Sequence, residues 1–307
     1  MNEIDTIEDF TDWLLAQDRS PVTARNYRSD LKTFNRWFEQ TNGTALTPEL
    51  LTPTDVREYR QYLLSVERRK ASTINRRLAA LSAYSTWAQD QGLLEYNPTE
   101  SVRSVGVQAR APRWLNRQAQ AALLRELELL RNASRTPTTT FRSQRNQAIV
   151  LFLLNTGLRI GELCALSIDD MSINARKGQV LVRQGKGSKQ RTVPLNLKIR
   201  QVLKIWLTSR EEWLERLEME SDNLFIGHRD CSLQPRSIQK MISKVGDRIG
   251  LELTPHVLRH TFGKNLVNAG VSLEKVAALL GHSNLNTTRL YVTPGQQDLE
   301  KAVETLV

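Results

Sequence analysis

Residues 256–260 read HVLRH and residues 280–291 read LGHSNLNTTRLY, preceded in the chain by TGLRIGEL at 156–163 and QGKGSKQR at 184–191. Thr254-Pro255 ahead of HVLRH is a helix-start signal, so His256 and Arg259 share one face of a first turn, where unpaired backbone N–H groups favour an anion. In TGLRIGEL, Arg159 follows Gly157 at a helix start, with Glu162 three residues on and able to hold the guanidinium. Taken alone, those letters read first as a purely structural Arg–Glu pair. Lys186 sits between two glycines at the tip of a hairpin, flanked by Lys189 and Arg191, where flexible backbone can bring an ammonium into a groove. A solvated basic loop is the alternative there. His282 follows Gly281 at a helix boundary, and Tyr291 lies nine residues later, at a position that is ordinarily core.

Around these motifs the pattern is mostly helical. QVLVR (179–183) and RTVPL (191–195) read as two short strands around the Gly- and Lys-rich turn. Helices are expected from Asn116 to about Leu130 and from Ser143 to Asn155, with the Thr-rich RTPTTTF between them as a surface loop. Further helices are signalled by Pro235, Thr254-Pro255, Ser272 and Ser283. The first hundred residues read as four or five helices, opened by Ser20-Pro21, Thr52-Pro53 and Ser72. The polar stretch VGVQARAP reads as a linker. The expectation is a mainly α protein with a small antiparallel sheet in its second domain: a helical domain over 1–103, a linker over 104–114 and a second domain over 115–307.

A chain of 307 residues suits two cores better than one. Apolar residues are 40% and charged residues 25%, the balance of a globular protein. No apolar run approaches the roughly 20 residues that cross a bilayer, and the acidic start does not read as a targeting peptide, so a cytoplasmic, nucleoid-associated protein without a membrane partner is expected. Cys164 and Cys231 read as buried thiols. The net charge of +10 points to a polyanion. Residues 114–307 hold 28 basic against 18 acidic side chains, and Arg19–Arg113 hold 15 against nine, so both domains are able to face nucleic acid. Arg68, Arg69, Lys70, Arg76 and Arg77 are the candidate contacts of the first domain, with a solvated helix face as the bland alternative.

Two arginines, a lysine, two histidines and a tyrosine, without clustered carboxylates to hold magnesium, describe metal-free phosphoryl transfer. A phosphodiester under attack gains negative charge on its non-bridging oxygens, which planar guanidiniums stabilise through paired hydrogen bonds. His256 and His260 have the spacing of zinc-binding histidines, but the HExxH glutamate and a third ligand are missing.

Together these motifs resemble the tyrosine recombinase (phage integrase) family, with Xer-like and transposon-borne site-specific recombinases nearest, over essentially the entire chain. The resemblance implies a helical, SAM-like core-binding domain followed by a catalytic domain. It implies that Arg159 and Arg259 clamp the scissile phosphate, His256 assists as acid/base, Lys186 protonates the leaving 5′ oxygen and His282 hydrogen-bonds the phosphate. Tyr291 would form the 3′-phosphotyrosyl bond, supported by Glu162 and His260. It further implies strand exchange without metal, cofactor or ATP, through a Holliday junction, by a homotetramer (or with a homologous partner) on two double-stranded DNA core sites. The tail at 296–306 could dock on a neighbouring subunit or pack on its own domain. A non-cutting DNA-binding protein of the same fold and a topoisomerase-like relaxing enzyme are the rival readings.

Overall fold

The computed structural model describes residues 6–17, 19–106, 113–174, 176–183, 190–229, 233–282, 284–292 and 303–304. Backbone contacts divide the chain into two units, Met1–Ala109 and Arg110–Val307. Much of the expected linker, the turn that carries Lys186 and Lys189, Cys231, Ser283 and nearly all of the tail lie outside the described residues.

The first unit holds α1 (Thr6–Ala16), α2 (Pro21–Asn42), α3 (Pro53–Ser65) and α4 (Ala71–Asp90). Ser20 and Thr52 cap α2 and α3 by accepting from the backbone N–H of Thr23 and Asp55, each with proline in the first turn. Ser72 does not open α4; it lies inside the first turn, behind Lys70 at the cap position. Apolar residues at helical spacing, including Leu31, Phe34, Phe38, Tyr59, Leu63 and Tyr84, bury one shared core. Within it the rings of Phe34 and Tyr59 meet edge-on at 4.8 Å.

The basic cluster of this unit divides. Arg68, Arg69 and Lys70 are exposed, Arg69 pairing with Glu67 at 2.6 Å. Arg76 is half-exposed and bonds buried Asp30. Arg77 departs from the expectation of a DNA contact: its side chain is mostly buried, 3.2 Å from the Tyr59 hydroxyl and 3.4 Å from Glu67. It ties α4 to α3, since a guanidinium in a helix interface is stable only with acceptors around it.

The second unit contains α5 (Arg117–Asn132), α6 (Pro137–Thr156), α7 (Ile160–Cys164), β1 (Met171–Ile173), β2 (Gly178–Val182), β3 (Arg191–Pro194), α8 (Leu197–Leu217), α9 (Pro235–Arg248), α10 (Pro255–Asn268), α11 (Leu273–Leu280) and α12 (Asn286–Arg289). Helix α6 is central: Ala148 to Leu154 are all buried, and α5, α8 and α10 pack around them. A helix apolar on every side must be covered on every side, which explains its continuous run AIVLFLL. The Thr-rich segment is not a loop throughout. Thr136 and Thr139 form a reciprocal cap, and α6 begins at Pro137.

The sheet has order β1-β2-β3, all antiparallel, with Val180 opposite both Met171 and Val193. Val180, Val182 and Val193 face the core, as period-two alternation requires. Strand β1, missed in the sequence reading, has only three residues and no internal signal; pairing with β2 creates it. The mainly helical architecture with a small antiparallel sheet matches the expected fold class.

Candidate active site

Two helices end where a third begins, and that meeting point builds the site. Helices α6 and α11 terminate in left-handed glycines, Gly157 at φ 63° and Gly281 at φ 67°, leaving last-turn carbonyls without helical partners. Arg259, in the first turns of α10, fills this deficit: Nη1 donates to the Gly157 carbonyl at 2.6 Å and Nη2 to the Leu280 carbonyl at 2.7 Å. The residue is 4% exposed. Burial, reinforced by Arg159, lowers its pKa to about 10, so it stays cationic at neutral pH. Gly157 is obligatory here, because a Cβ would fall 2.4 Å from Phe262 Cδ1 in a backbone conformation that side chains resist.

Arg159 caps α7. Its backbone N–H donates to Glu162 Oε2 at 2.8 Å, its Nη1 to Oε1 at 2.9 Å, and its Nη2 approaches the Gly281 carbonyl at 3.4 Å. The guanidinium remains half-exposed. Glu162 is gripped more firmly by Arg191, at 3.0 and 2.7 Å. Arg191 also donates from Nε to the Leu279 carbonyl at 2.9 Å, and its side chain is 9% exposed. Arg191 is therefore no free DNA-facing cation as the loop composition suggested; it is a buried support shared by β3, α7 and α11. Burial opposes ionisation of Glu162, but the hydrogen bonds from Arg191 and Arg159 outweigh it and hold the carboxyl below its usual range.

Tyr291 lies within this frame, 1% exposed. Helix α10 holds it at three places. His260 Nδ1 is 3.0 Å from the phenolic oxygen, Gly263 lets the ring lie flat against the helix, and Lys264 Nζ donates to the Tyr291 carbonyl at 3.3 Å. A Cβ at position 263 would come within 3.0 Å of three ring atoms. Burial raises the phenol pKa against the opposing field of Arg259 and Arg159. His282 stacks parallel to the same ring at 6.4 Å and pairs through Nδ1 with Thr288 Oγ1 at 2.9 Å. Burial, then Arg259 and Arg159, lowers the His282 pKa to about 4, so the imidazole is neutral under ordinary conditions. His260 is lowered for the same kind of reason, with His256 as the second cause. His256 itself is exposed on the first turn of α10, its ring 6.3 Å from that of His260.

Arg159, Arg259, His260, His282 and Tyr291 thus share one locality, with Glu162 behind the first arginine and His256 on the adjoining turn. Among the described residues no three His, Cys, Asp or Glu side chains cluster as a metal site needs. Cys164 is half-buried, and burial pushes its thiol up to about 11. No described helix is long and apolar enough to cross a membrane.

A second feature escaped the sequence reading. A groove of about 530 Å³ runs between α6, α9 and the segment before α9, lined by Arg142, Arg145, Arg229, Lys240, Lys244 and Arg248. Arg145 is buried, donates to the Ile226 carbonyl at 3.2 Å, and is lowered to about 10 by burial. Arg248 bonds Glu126 on α5. Arg142, Lys240 and Lys244 are exposed. In the sequence these residues are spread from position 142 to position 248; only the signal of Ile238, Ile242 and Val245 on the buried face of α9 hinted that Lys240 and Lys244 line the opposite one.

Residues 124–297 match the Phage integrase family, and residues 7–92 match the phage integrase N-terminal SAM-like domain. The chain belongs to this family of tyrosine recombinases. Among its relatives, the tyrosine recombinase XerC of Corynebacterium efficiens is 33% identical over 97% of this chain and 90% of its own length. The TnP I resolvase of Bacillus thuringiensis is 30% identical over 99% of this chain and 100% of its own length. The fold is shared with XerH site-specific recombinase in a post-cleavage complex with a palindromic difH substrate, at 22% identity and TM-score 0.74 over 94% of this chain and 81% of that one.

Proposed function

We propose that this recombinase cuts and rejoins duplex DNA through a covalent bond between Tyr291 and a 3′ phosphate. The observation that carries the proposal is the convergence of Arg159, Arg259, His282 and Tyr291 from three separate stretches of sequence on the carbonyl-lined junction of α6, α10 and α11. Arg259, already oriented by two carbonyls, and half-exposed Arg159 supply fixed positive charge for the non-bridging oxygens of a phosphodiester. Neutral His282 donates a hydrogen bond from the nitrogen not facing Thr288.

In the cleavage step the phenolic oxygen forms the new P–O bond and the P–O5′ bond breaks. A neighbouring imidazole accepts the phenol's proton: His260 Nδ1 is nearest while Tyr291 is docked, and exposed His256 stands on the adjoining turn. Lys186 is assigned by resemblance to give a proton to the leaving 5′ oxygen. The phosphotyrosyl ester conserves the energy of the broken bond, so a 5′ hydroxyl of the partner duplex reverses the chemistry without ATP, and two rounds pass through a Holliday junction. Four protomers on two core sites, or protomers of this chain with a homologous partner, would carry this out. The basic groove beside α9, with Arg68, Arg69 and Lys70 in the first unit, is proposed to hold DNA phosphates. We keep the expected division, a core-binding domain over 1–103, a linker over 104–114 and a catalytic domain over 115–307, as part of this proposal.

A nicked duplex that loses its 5′ end after cleavage separates cutter from binder: the recombinase accumulates a covalent protein–DNA species and a pure binder none. Two labelled sites scored for recombinant product separate strand exchange from topoisomerase-like relaxation, which gives relaxed circles and no exchanged arms.

A further inference from the structure

Lys264 is 6% exposed, an unusual position for an ammonium, and it joins two parts of the second unit that are distant in sequence. On one side Nζ donates to the backbone carbonyl of Tyr291 at 3.3 Å. On the other it lies 4.9 Å from the centre of the Trp114 indole, within cation–π range. Trp114 stands five residues after Ala109, the last residue of the first unit, and is only partly buried. The chain entering the second unit is fastened along α10 just beside it: the Leu115 N–H donates to Thr261 Oγ1 at 2.9 Å, and the Gln120 and Asn265 amides pair reciprocally at 3.2 and 3.0 Å. A cleft of about 900 Å³ bounded by Trp114, Arg117, Lys264 and Asn268 leaves the indole room to withdraw.

From this we propose that Trp114 and Lys264 form a latch through which the chain entering the second unit governs whether Tyr291 stays docked. The phenol, 1% exposed, cannot reach a phosphorus atom without leaving its place. Departure of the tyrosine segment breaks the Lys264 bond to the Tyr291 carbonyl, and that bond is steadied by the indole above the ammonium. Displacement of Trp114 takes the indole away from the ammonium, loosens Lys264 and frees the tyrosine segment. Lys264 and Trp114 are positioning residues in this scheme; neither touches the reacting phosphate.

The latch rests on reading Tyr291 as the nucleophile, and its test separates the two. Lys264→Met keeps the aliphatic stem and removes the charge; Trp114→Leu removes the ring face. In the full chain without DNA, hydrogen exchange of the backbone amides at 288–292 should quicken about tenfold in each variant, the change expected for losing one partly desolvated cation–π contact, while amides in the middle of α6 keep their protection. The double variant should match the single ones, because both break one device. On a nicked duplex at saturating protein, single-turnover cleavage should rise several-fold with DNA affinity unchanged. Unchanged exchange at 288–292, additive effects in the double variant, or equal loss of protection throughout α6 would overturn the latch. Trapping that persists in Tyr291→Phe would instead overturn the nucleophile assignment and leave the exchange result standing.

Discussion

Arg191 grips both carboxylate oxygens of Glu162, at 3.0 and 2.7 Å, in a setting almost closed to solvent. A buried cation that loses the carboxylate it is paired with keeps the desolvation penalty without the attraction, at a cost of about 3 kcal/mol or more. Glu162→Gln should therefore lower the unfolding free energy by about that amount in urea titration. A Glu162→Gln/Arg191→Met double variant, which leaves no buried charge at the pair, should lose less. A larger loss in the double variant would show that Arg191 acts through something other than this carboxylate.

The two carbonyls bound by Arg259 require a planar fork. Arg259→Lys keeps the charge but cannot serve Gly157 and Leu280 together while addressing a phosphate. Cleavage of a nicked substrate should slow by about 100-fold or more, with DNA affinity changed far less. Comparable losses in both would place Arg259 in general DNA attraction.

Acid should destabilise the second unit in two overlapping windows. His282 is held neutral, with its pKa at about 4 against an ordinary 6.5, so between those values the unfolded chain binds the proton that the native state refuses. Stability on this account is complete above pH 6.5 and declines as the pH falls towards 4. Partial exposure of the ring screens the effect to the order of 1 kcal/mol. Glu162, whose pKa is depressed, adds a second loss as the pH falls below 4.5. His260, also lowered by burial, shares the upper window, so His282→Gln should reduce that window without abolishing it and leave the lower one; an unchanged profile between pH 6.5 and 4 would count against a neutral buried imidazole at 282.

The basic groove gives a salt-dependence test. Each phosphate neutralised by a cation adds about 0.9 to the slope of log affinity against log salt. Replacing Arg142, Lys240 and Lys244 by glutamine should flatten that slope by roughly 2 to 3 and leave cleavage at saturating protein intact. A slope that does not move would remove the groove from the DNA interface.

Much of the fold was legible because its signals are local. Ser20-Pro21, Thr52-Pro53, Asn116 and Thr254-Pro255 each mark a helix start by a side chain that caps the backbone beside it. Strand β1 was not legible, since its three residues owe their extended form to β2. The Thr-rich segment misled because the composition of a loop and of a capping box is the same over four residues. At the site, motif spacing brought forward Arg159, His256, Arg259, His282 and Tyr291. It could not distinguish a cation facing solvent from one facing a carbonyl. Arg77 and Arg191 therefore read as DNA contacts, while the engagement of His260 with the phenol and of Lys264 with Trp114, and the place of Arg142 and Lys244 along one groove, depend on chain segments meeting in space.

The account is tested most directly by locating the covalent bond. Wild-type protein is incubated with a nicked duplex, the trapped species is digested with protease and nuclease, and the nucleotide-bearing peptide is identified by mass spectrometry. The expected result is a single modified peptide carrying a 3′-linked nucleotide on Tyr291, absent from Tyr291→Phe protein that still binds the duplex. A nucleotide on any other side chain, or trapping undiminished in Tyr291→Phe, would contradict it.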